Sequence, residues 1–309
     1  MTLAATSTSS DARLGMTLMI CAMLIVPGLD VMAKLLMERL SPAQVGLGRF
    51  VAQSLVLLPV LFLAGQAVRP GRGHAAAGMF LGLALLCINL ALREMPVANV
   101  IAIFFVEPLI LTLLAALLLG ERLGWRRLTA VAVGLAGALV VLRPNLAAYG
   151  WAAAWPLATA LFFSFYMLVT RVMTLSGGRV ALQFWTGVFA MLTLGAGTAI
   201  GAALAPEAAP VHWPTERELL LFLAIGVLAA GAHQLIVIAL SRAEAGVVAP
   251  FQYLEIVSAT ALGWLVFGDF PDAMTWAGTA IIIGAGLYVF HRESRVARAA
   301  PPLEPEARG

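Results

Sequence analysis

The stretch NVIAIFFVEPLILTLLAALLLGERLGW, residues Asn99 to Trp125, decides the fold because it places one charge inside a membrane-length apolar run. About 20 apolar residues are enough for a helix to cross the hydrocarbon core of a bilayer. Glu107 lies inside this run, and an ionised side chain there costs about 2.5 to 3.5 kcal/mol. We therefore expect Glu107 to face a bundle interior or a water-filled cavity. Pro108, which lacks an N–H group, should free a backbone carbonyl one turn earlier.

The composition excludes a water-soluble domain. Hydrophobic residues make up 61% of the 309 residues and charged residues only 11%, whereas soluble domains carry roughly 25% charged residues. The lipid bilayer is thus the first predicted partner. The net charge is only +3, without a basic cluster interleaved with aromatics, so no nucleic acid is expected. Cys21 and Cys87 lie inside apolar runs without CxxC or HExxH spacing, and we predict neither a disulfide framework nor a metal site.

Runs of membrane length recur along the whole chain, which predicts an all-α integral membrane protein with ten transmembrane helices. Ser41-Pro42 is a typical helix start, with a capping residue followed by proline. Residues 1–14 are predicted to be a disordered tail and residues 292–309 a cytoplasmic tail. The ten predicted helices are 15–36, 42–64, 75–92, 97–119, 126–142, 151–172, 180–203, 219–240, 246–267 and 273–290.

The distribution of basic residues predicts the orientation of these helices. If the N-terminus is cytoplasmic, 13 of the 19 lysines and arginines fall in inside segments and 5 in outside segments. Cytoplasmic loops of membrane proteins carry the excess of lysine and arginine. The bias therefore predicts that both termini are cytoplasmic.

An internal repeat links the two halves of the chain. The segment ALREMPVANVIAIFFVEPLILTLLAALLLGERLGWRRL from Ala91 aligns without gaps with ALSRAEAGVVAPFQYLEIVSATALGWLVFGDFPDAMTW from Ala239. Glu107 aligns with Glu255. We predict two repeats of five helices, residues 15–144 and 150–291. Five is an odd number, so the repeats are inverted, as in many alternating-access transporters with a midplane site.

The two central glutamates predict a polar substrate site or a proton site lined by both repeats. Gln252 and Ser258 lie three residues on either side of Glu255, on a similar helix face. A buried ion pair or a hydrogen-bonded carboxylic acid is the structural alternative. Because a carboxyl group can bind and release a proton, proton-coupled transport is a hypothesis. The remaining candidate substrate-binding residues are polar or aromatic side chains in apolar helices: Asn99, Tyr166, Trp185, His233, Gln234 and Tyr253.

Charged residues near the start of the chain form a second candidate group. Asp30 and Lys34 are one turn apart in the first predicted helix, and Arg49 lies in the second. They are expected to form an ion-pair network, to receive a charged substrate, or, for Asp30 and Lys34, to act as a gating pair. A discontinuity at Pro27-Gly28 would suit such a gate. Small residues at Gly134 and in the last predicted helix favour scaffold packing or a dimer contact, so a monomer or a homodimer is expected.

Two stretches resemble the EamA-type branch of the drug/metabolite transporter superfamily. They are VMAKLLMERLSPAQVGLGRFVAQSLVLLP, which begins at Val31, and REMPVANVIAIFFVEPLILTLLAALLLGERLGWRRLTAVAVGLAGALVVLRP, which begins at Arg93. The resemblance covers residues 15 to 291. The second half departs from the family pattern at Ile256, where proline is common, and at Gly268-Asp269, which replaces Gly-Glu.

The resemblance implies a ten-helix inner-membrane carrier without a cofactor. Family members similar to this chain move small molecules such as amino acids, riboflavin or S-adenosylmethionine, some inward and some outward. An intramembrane enzyme is an alternative, for which Ser164 and His233 are the only nucleophile and base to consider, but no nucleophile turn surrounds Ser164. A channel is the other alternative. We therefore expect a transporter rather than an enzyme.

Overall fold

The computed structural model describes residues 9–63, 65, 69–120, 125–173, 179–204, 211–242 and 249–299, and the regular structure in these ranges is entirely helical. Seven helical stretches are long and apolar enough to cross a membrane, and two further apolar helices are shorter. One of the seven, Leu128–Thr170, comprises most of two long helices, of 25 and 19 residues. They are separated near Gly150, whose positive φ of 58° suits a residue without a side chain.

The helices are named here in chain order. The first half contains α1 (Ser9–Leu36), α2 (Pro42–Leu63), α3 (Arg72–Glu94), α4 (Val97–Phe104), α5 (Glu107–Leu119) and α6 (Trp125–Tyr149). The second half contains α7 (Trp155–Met173), α8 (Arg179–Leu204), α9 (Glu216–Arg242), α10 (Leu254–Phe267) and α11 (Ala273–Ala299). Two short 3-10 segments, Gly150–Ala154 and Ala249–Tyr253, precede α7 and α10.

The predicted helix start at Ser41-Pro42 is confirmed, because α2 begins at Pro42. The Ser41 hydroxyl accepts a hydrogen bond from the Gln44 backbone N–H at 3.4 Å, and the Gln44 side chain accepts one from the Ser41 N–H at 3.4 Å. This reciprocal arrangement satisfies donors that the first turn of a helix otherwise leaves unpaired.

The helix predicted over 97–119 is broken. α4 ends at Phe104 and α5 begins at Glu107, and the intervening backbone forms the tighter bonds Val106 N to Ile103 O and Leu109 N to Val106 O. Pro108 is the cause suggested by the sequence, since it removes one donor and its ring disfavours a straight helix. Hydropathy alone does not detect such a break because both halves are apolar.

The discontinuity predicted at Pro27-Gly28 was wrong, because α1 is continuous from Ser9 to Leu36. Proline at position 27 removes the donor that would serve the carbonyl of Met23, four residues earlier. The buried Ser258 hydroxyl of α10 lies 2.7 Å from that carbonyl oxygen and donates to it. A side chain from the second half thereby satisfies the group that proline frees, and the helix continues.

Both predicted tails are partly helical. α1 begins at Ser9, so residues 9–14 belong to a helix rather than a disordered tail. Serine is common at helix starts because its hydroxyl can cap free N–H groups. α11 continues to Ala299, through a segment rich in the helix formers arginine, glutamate and alanine and free of proline. Residues 1–8 and 300–309 lie outside the described part of the chain.

The packing of the two halves has a two-fold pattern. α1 packs on α9, and its counterpart α7 packs on α3. In the same way α2 contacts α9 while α8 contacts α3, and α1 contacts α10 while α7 contacts α5. α2 with α8 and α6 with α11 are pairs of equivalent helices in direct contact. Exchanging the two halves therefore converts this set of contacts into itself.

Small residues bring α6 and α11 together, which is the scaffold-packing alternative of the prediction, although the sequence did not indicate that these two helices meet. A Cβ placed on Gly278 would lie 2.7 Å from the carbonyl oxygen of Gly137, and one placed on Gly137 would lie 3.1 Å from the carbonyl oxygen of Gly278. Only glycine permits this approach of two backbones. The contact closes one side of the bundle.

Candidate functional site

Both central glutamates lie in the first turn of a helix that follows an interruption. Glu107 is the first residue of α5, and Glu255 is the second residue of α10, after the 3-10 segment that ends at Tyr253. Each of these helices ends at a left-handed glycine, Gly120 with φ 72° and Gly268 with φ 74°. The aligned sequences thus have the same backbone plan: an interruption, a glutamate, a helix and a glycine cap.

Glu107 is half-buried, and its Oε1 atom has no hydrogen-bond partner among the described residues. The Ser164 hydroxyl of α7 lies 3.2 Å from the backbone oxygen of Glu107. The positive end of the α5 dipole favours an acidic group at this position. Glu107 Oε1 is therefore a buried acceptor without a partner among these residues, and such atoms are rare in native structures.

Glu255 belongs to a charged cluster formed by both halves. It interacts electrostatically with Asp30 of α1, and Asp30 interacts with Arg49 of α2. Asp30 is buried, while Glu255 and Arg49 are half-buried. The Nε atom of Arg49 is buried and has no hydrogen-bond partner within the described ranges. The cluster therefore contains two acids, one base and an unused donor.

Five aromatic rings connect the second-half interruption to α7. The ring centroids of Tyr253 and Phe105 are 5.3 Å apart, and those of Phe105 and Phe104 are 6.2 Å apart. From Phe104 the series continues to Phe163 at 5.6 Å and from Phe163 to Tyr166 at 5.3 Å. Tyr253 also interacts electrostatically with Glu107. The aromatic series therefore joins the surroundings of the two glutamates.

The two residues of the predicted gating pair, Asp30 and Lys34, have different partners in the structure. Lys34 pairs with Asp269, with Nζ 3.5 Å from Oδ2, rather than with Asp30. The same Nζ donates a 2.7 Å hydrogen bond to the carbonyl oxygen of Met95 and lies 4.9 Å from the centroid of the Phe267 ring. The contact of α1 with α10 brings these groups together, while Asp30 interacts electrostatically with Arg49.

Gln252 does not share the face of Glu255 and Ser258. Its side chain is exposed, whereas Glu255 is half-buried and Ser258 is buried. The prediction assumed one continuous α-helix, but α10 begins only at Leu254, and Gln252 lies in the preceding 3-10 segment.

The other predicted residues form separate pairs. Gln234 of α9 donates to the side-chain oxygen of Gln183 in α8 at 3.3 Å, and His233 is half-buried beside it in sequence. Trp185 contacts Phe184 edge to face, with ring centroids 5.3 Å apart. All of these residues belong to α8 or α9, whereas Glu107 begins α5.

Asn99 forms a buried pair that was not anticipated. Its amide donates to the side-chain oxygen of Asn145 at 2.8 Å, and the Asn145 amide donates to the carbonyl oxygen of Val141 at 2.7 Å. Asn99 precedes Glu107 by eight residues, roughly 12 Å along a helix axis. The sequence did show Asn145 as a polar residue directly after Pro144, but it lies beyond residue 142, where the predicted fifth helix ends.

Comparison with known proteins places the chain in a family. The EamA-like transporter family matches residues 13–143 and again residues 150–290. A riboflavin transporter of Rhizobium johnstonii is 33% identical over 66% of this chain and 65% of its own length. S-adenosylmethionine uptake transporters of Rickettsia bellii and Rickettsia prowazekii are 27% and 26% identical over 86% of this chain and 89% and 88% of their own lengths.

A solved crystal structure has the same fold. It superimposes with a TM-score of 0.60 at 20% identity, covering 93% of this chain and 99% of the solved one. The resemblance inferred from the two quoted stretches is confirmed: this multi-pass membrane protein belongs to the EamA-like transporter family, of the drug/metabolite transporter type.

Proposed function

We propose that the protein is an inner-membrane secondary transporter that moves a small polar metabolite by alternating access. The observation that carries the proposal is the charged cluster, in which Asp30 and Arg49 from the first half meet Glu255 from the second. Charged groups inside a membrane bundle are costly and commonly mark substrate or ion pathways. A site shared by two halves can be opened to either side by rocking one half against the other.

The proposed architecture is two inverted repeats of five helices, residues 15–144 and 150–291. The seven membrane-length stretches, one of which is long enough for two passes, and the two shorter apolar helices together support ten passes. The two-fold exchange of helix contacts supports the repeat. Five passes per repeat place the second repeat in the opposite orientation, and the basic residues favour both termini on the cytoplasmic side.

The aromatic series supports a substrate with a planar ring. The relatives described above are named for riboflavin and for S-adenosylmethionine, and both molecules contain a flat heteroaromatic system. Aromatic side chains bind such rings by stacking or edge contacts. Phe104, Phe163, Tyr166 and Tyr253 are half-buried and therefore retain surface for a ligand.

The enzyme hypothesis has no support from the position of Ser164. Its hydroxyl lies 2.7 Å from the carbonyl oxygen of Ala160 and 3.2 Å from that of Glu107, both of which are acceptors of its proton rather than bases. A serine nucleophile requires a base within hydrogen-bond reach. The transporter proposal uses Ser164 to position Glu107 instead.

Uptake into proteoliposomes tests the proposal. We expect saturable uptake of labelled S-adenosylmethionine or riboflavin by the purified protein, with at least a tenfold loss in both Glu107→Gln and Glu255→Gln. Glu94→Gln is the matched control, because Glu94 is exposed at the end of α3. Uptake that is linear in concentration, or equal in all variants, contradicts a carrier with this site.

A further inference from the structure

Tyr253 connects the interruption of the first half to α11 of the second. Its ring contacts the ring of Phe105, with centroids 5.3 Å apart. Its hydroxyl oxygen occupies the position that a Cβ atom on Gly286 of α11 would need. Gly286 is buried and lies in the interior of α11, more than two turns from either end. The Tyr253 side chain therefore fills the space between Phe105 and the backbone of α11.

The hydroxyl group, more than the ring, requires a glycine at position 286. Glycine in the interior of a helix costs stability relative to alanine, so a buried one indicates a close approach of another group. After the Tyr253 hydroxyl oxygen, the nearest atom to a Cβ on Gly286 is Cζ of the same ring, at 3.2 Å. A shift of a few tenths of an ångström accommodates that contact. A phenylalanine ring at position 253 would thus tolerate alanine at position 286.

The first half has the complementary pair of residues. α6 and α11 begin at positions related by the same shift that aligns Phe105 with Tyr253. At this shift the counterpart of Gly286 is Ala138, which is buried in α6. The first half therefore combines a ring without a hydroxyl group with a helix residue that has a methyl group. The second half combines a hydroxyl group on the ring with the loss of that methyl group.

The helix that carries Gly286 is closely packed on α6. A Cβ on Gly134 of α6 would lie 3.1 Å from the Cβ of Ala285, the neighbour of Gly286. Neighbouring residues of an α-helix point in directions about 100° apart. One face of α11 thus packs on α6, and the adjacent face meets the Tyr253 hydroxyl. The position of Tyr253 therefore depends on α11 as well as on the 3-10 segment to which it belongs.

We propose that Gly286 is a positioning residue for transport, because its lack of a side chain allows Tyr253 to place its ring against Phe105. The inference rests on the proposed transport function, in which Tyr253 is one of the half-buried rings that meet the substrate. Gly286 acts through Tyr253 and does not itself contact the substrate. A methyl group at position 286 displaces the ring and weakens the recognition of the substrate.

The concentration dependence of uptake into proteoliposomes tests this role, with whichever of labelled riboflavin or S-adenosylmethionine the wild-type protein takes up saturably. Gly286→Ala should raise KM at least fivefold. In a Tyr253→Phe background the same change should alter KM less than twofold, because the second half then has the Phe–Ala pair of the first. Loss of folded protein lowers the maximal rate and leaves KM unchanged, so misfolding does not imitate this result.

Gly284→Ala is the matched control, because no atom outside its own helix backbone lies within 4 Å of a Cβ on Gly284, in the same helix. It should leave KM unchanged in both backgrounds. An equal rise of KM for Gly286→Ala with and without the Tyr253 hydroxyl overturns the inference, and so does an unchanged KM in both.

A second measurement requires no substrate. A double-mutant cycle of Phe105→Leu and Tyr253→Leu, followed by SDS unfolding in mixed micelles, gives the coupling energy of the two rings. We expect Gly286→Ala to reduce this coupling energy by at least half and Gly284→Ala to leave it unchanged. An undiminished coupling energy means that the ring has not moved, which overturns the inference. Absence of saturable uptake of both compounds by the wild-type protein contradicts the transport proposal instead, and the cycle still tests whether Gly286 positions Tyr253.

Discussion

Phe105 and Tyr253 occupy equivalent positions in the two halves and contact each other, with ring centroids 5.3 Å apart and ring planes inclined by 38°. Each lies two residues before its glutamate, at the interruption of its helix. A residue that contacts its own counterpart lies close to the axis that relates the halves. The pair therefore marks the centre of the interface between them.

The Phe105–Tyr253 contact should couple the stability of the two halves. An aromatic pair contributes about 0.5 to 1.5 kcal/mol beyond its buried area. We expect a double-mutant cycle of Phe105→Leu and Tyr253→Leu to give a coupling energy of that size in the free energy of unfolding, measured by SDS titration in mixed micelles. Both single variants should also slow uptake, because they change the centre of the interface.

The stacked pair Phe80–Phe165, with centroids 5.1 Å apart and planes inclined by 19°, is the matched control. A double-mutant cycle of Phe80→Leu and Phe165→Leu should show a coupling energy of similar size. Phe80→Leu alone should leave the uptake rate within about twofold of wild type. A Phe105–Tyr253 coupling energy of zero in correctly folded protein would show that the two rings do not interact.

The sequence was sufficient to predict where most helices lie, because membrane-length apolar runs leave few other solutions, but it did not predict the interruptions before Glu107 and Glu255. The predicted helix 42–64 is α2, Pro42–Leu63, and the predicted helix 180–203 is α8, Arg179–Leu204. The gapless repeat also located Glu107 and Glu255 at matching places in α5 and α10. These predictions depend on local hydropathy and on internal similarity, both of which are properties of the sequence itself.

The contacts of polar groups could not be predicted in the same way. Lys34 pairs with Asp269, 235 positions away, and only the packing of α1 against α10 brings them together. One-turn spacing suggested Asp30 as the partner because it was the nearest acid along the helix. The Asn99–Asn145 pair was missed for the same reason, since hydropathy does not indicate which faces of α4 and α6 meet.

We expect the Ser258 hydroxyl to stabilise the fold because Pro27 leaves the Met23 carbonyl without its backbone donor. Ser258→Ala removes the hydroxyl that donates to the Met23 carbonyl at 2.7 Å, and a buried carbonyl without a donor costs about 1 to 3 kcal/mol. In a Pro27→Ala background, the N–H of residue 27 serves this carbonyl, so Ser258→Ala should cost close to nothing. Unfolding by SDS titration of the four proteins measures the difference.

Thr193→Ala is the control for loss of a helical hydroxyl, because Thr193 donates at 2.9 Å to Phe189, four residues earlier in the same helix. We expect it to change stability equally with and without Pro27. An equal cost of Ser258→Ala in both backgrounds would mean that the Met23 carbonyl does not depend on this serine.

Glu107 and Glu255 should determine any dependence of transport on a proton gradient. Glutamine retains the shape of glutamate but cannot bind and release a proton, so in a proton-coupled carrier Glu107→Gln or Glu255→Gln should abolish acceleration by an imposed pH gradient. Uptake is measured with and without a protonophore, and Glu94→Gln should behave as wild type. If neither the pH gradient nor the protonophore changes the rate of wild-type uptake, proton coupling is ruled out.

We expect the Lys34–Asp269 contact to break during each transport cycle. It joins the last turn of α1 in the first half to Asp269, two residues after the end of α10 in the second half. Met95 and Phe267 contact the lysine from two further directions. In alternating access, the two halves separate at one end while they close at the other.

Cross-linking tests whether this contact opens. With Cys21 and Cys87 replaced by serine, a short, reducible thiol-specific cross-linker between Lys34→Cys and Asp269→Cys should reduce uptake at least tenfold, and reduction of the cross-link should restore it. The single-cysteine proteins treated with the same reagent show the effect of modification alone. If the cross-linked protein transports at the rate of its reduced form, this end of the bundle stays closed throughout the cycle, and the separation of the halves must occur elsewhere.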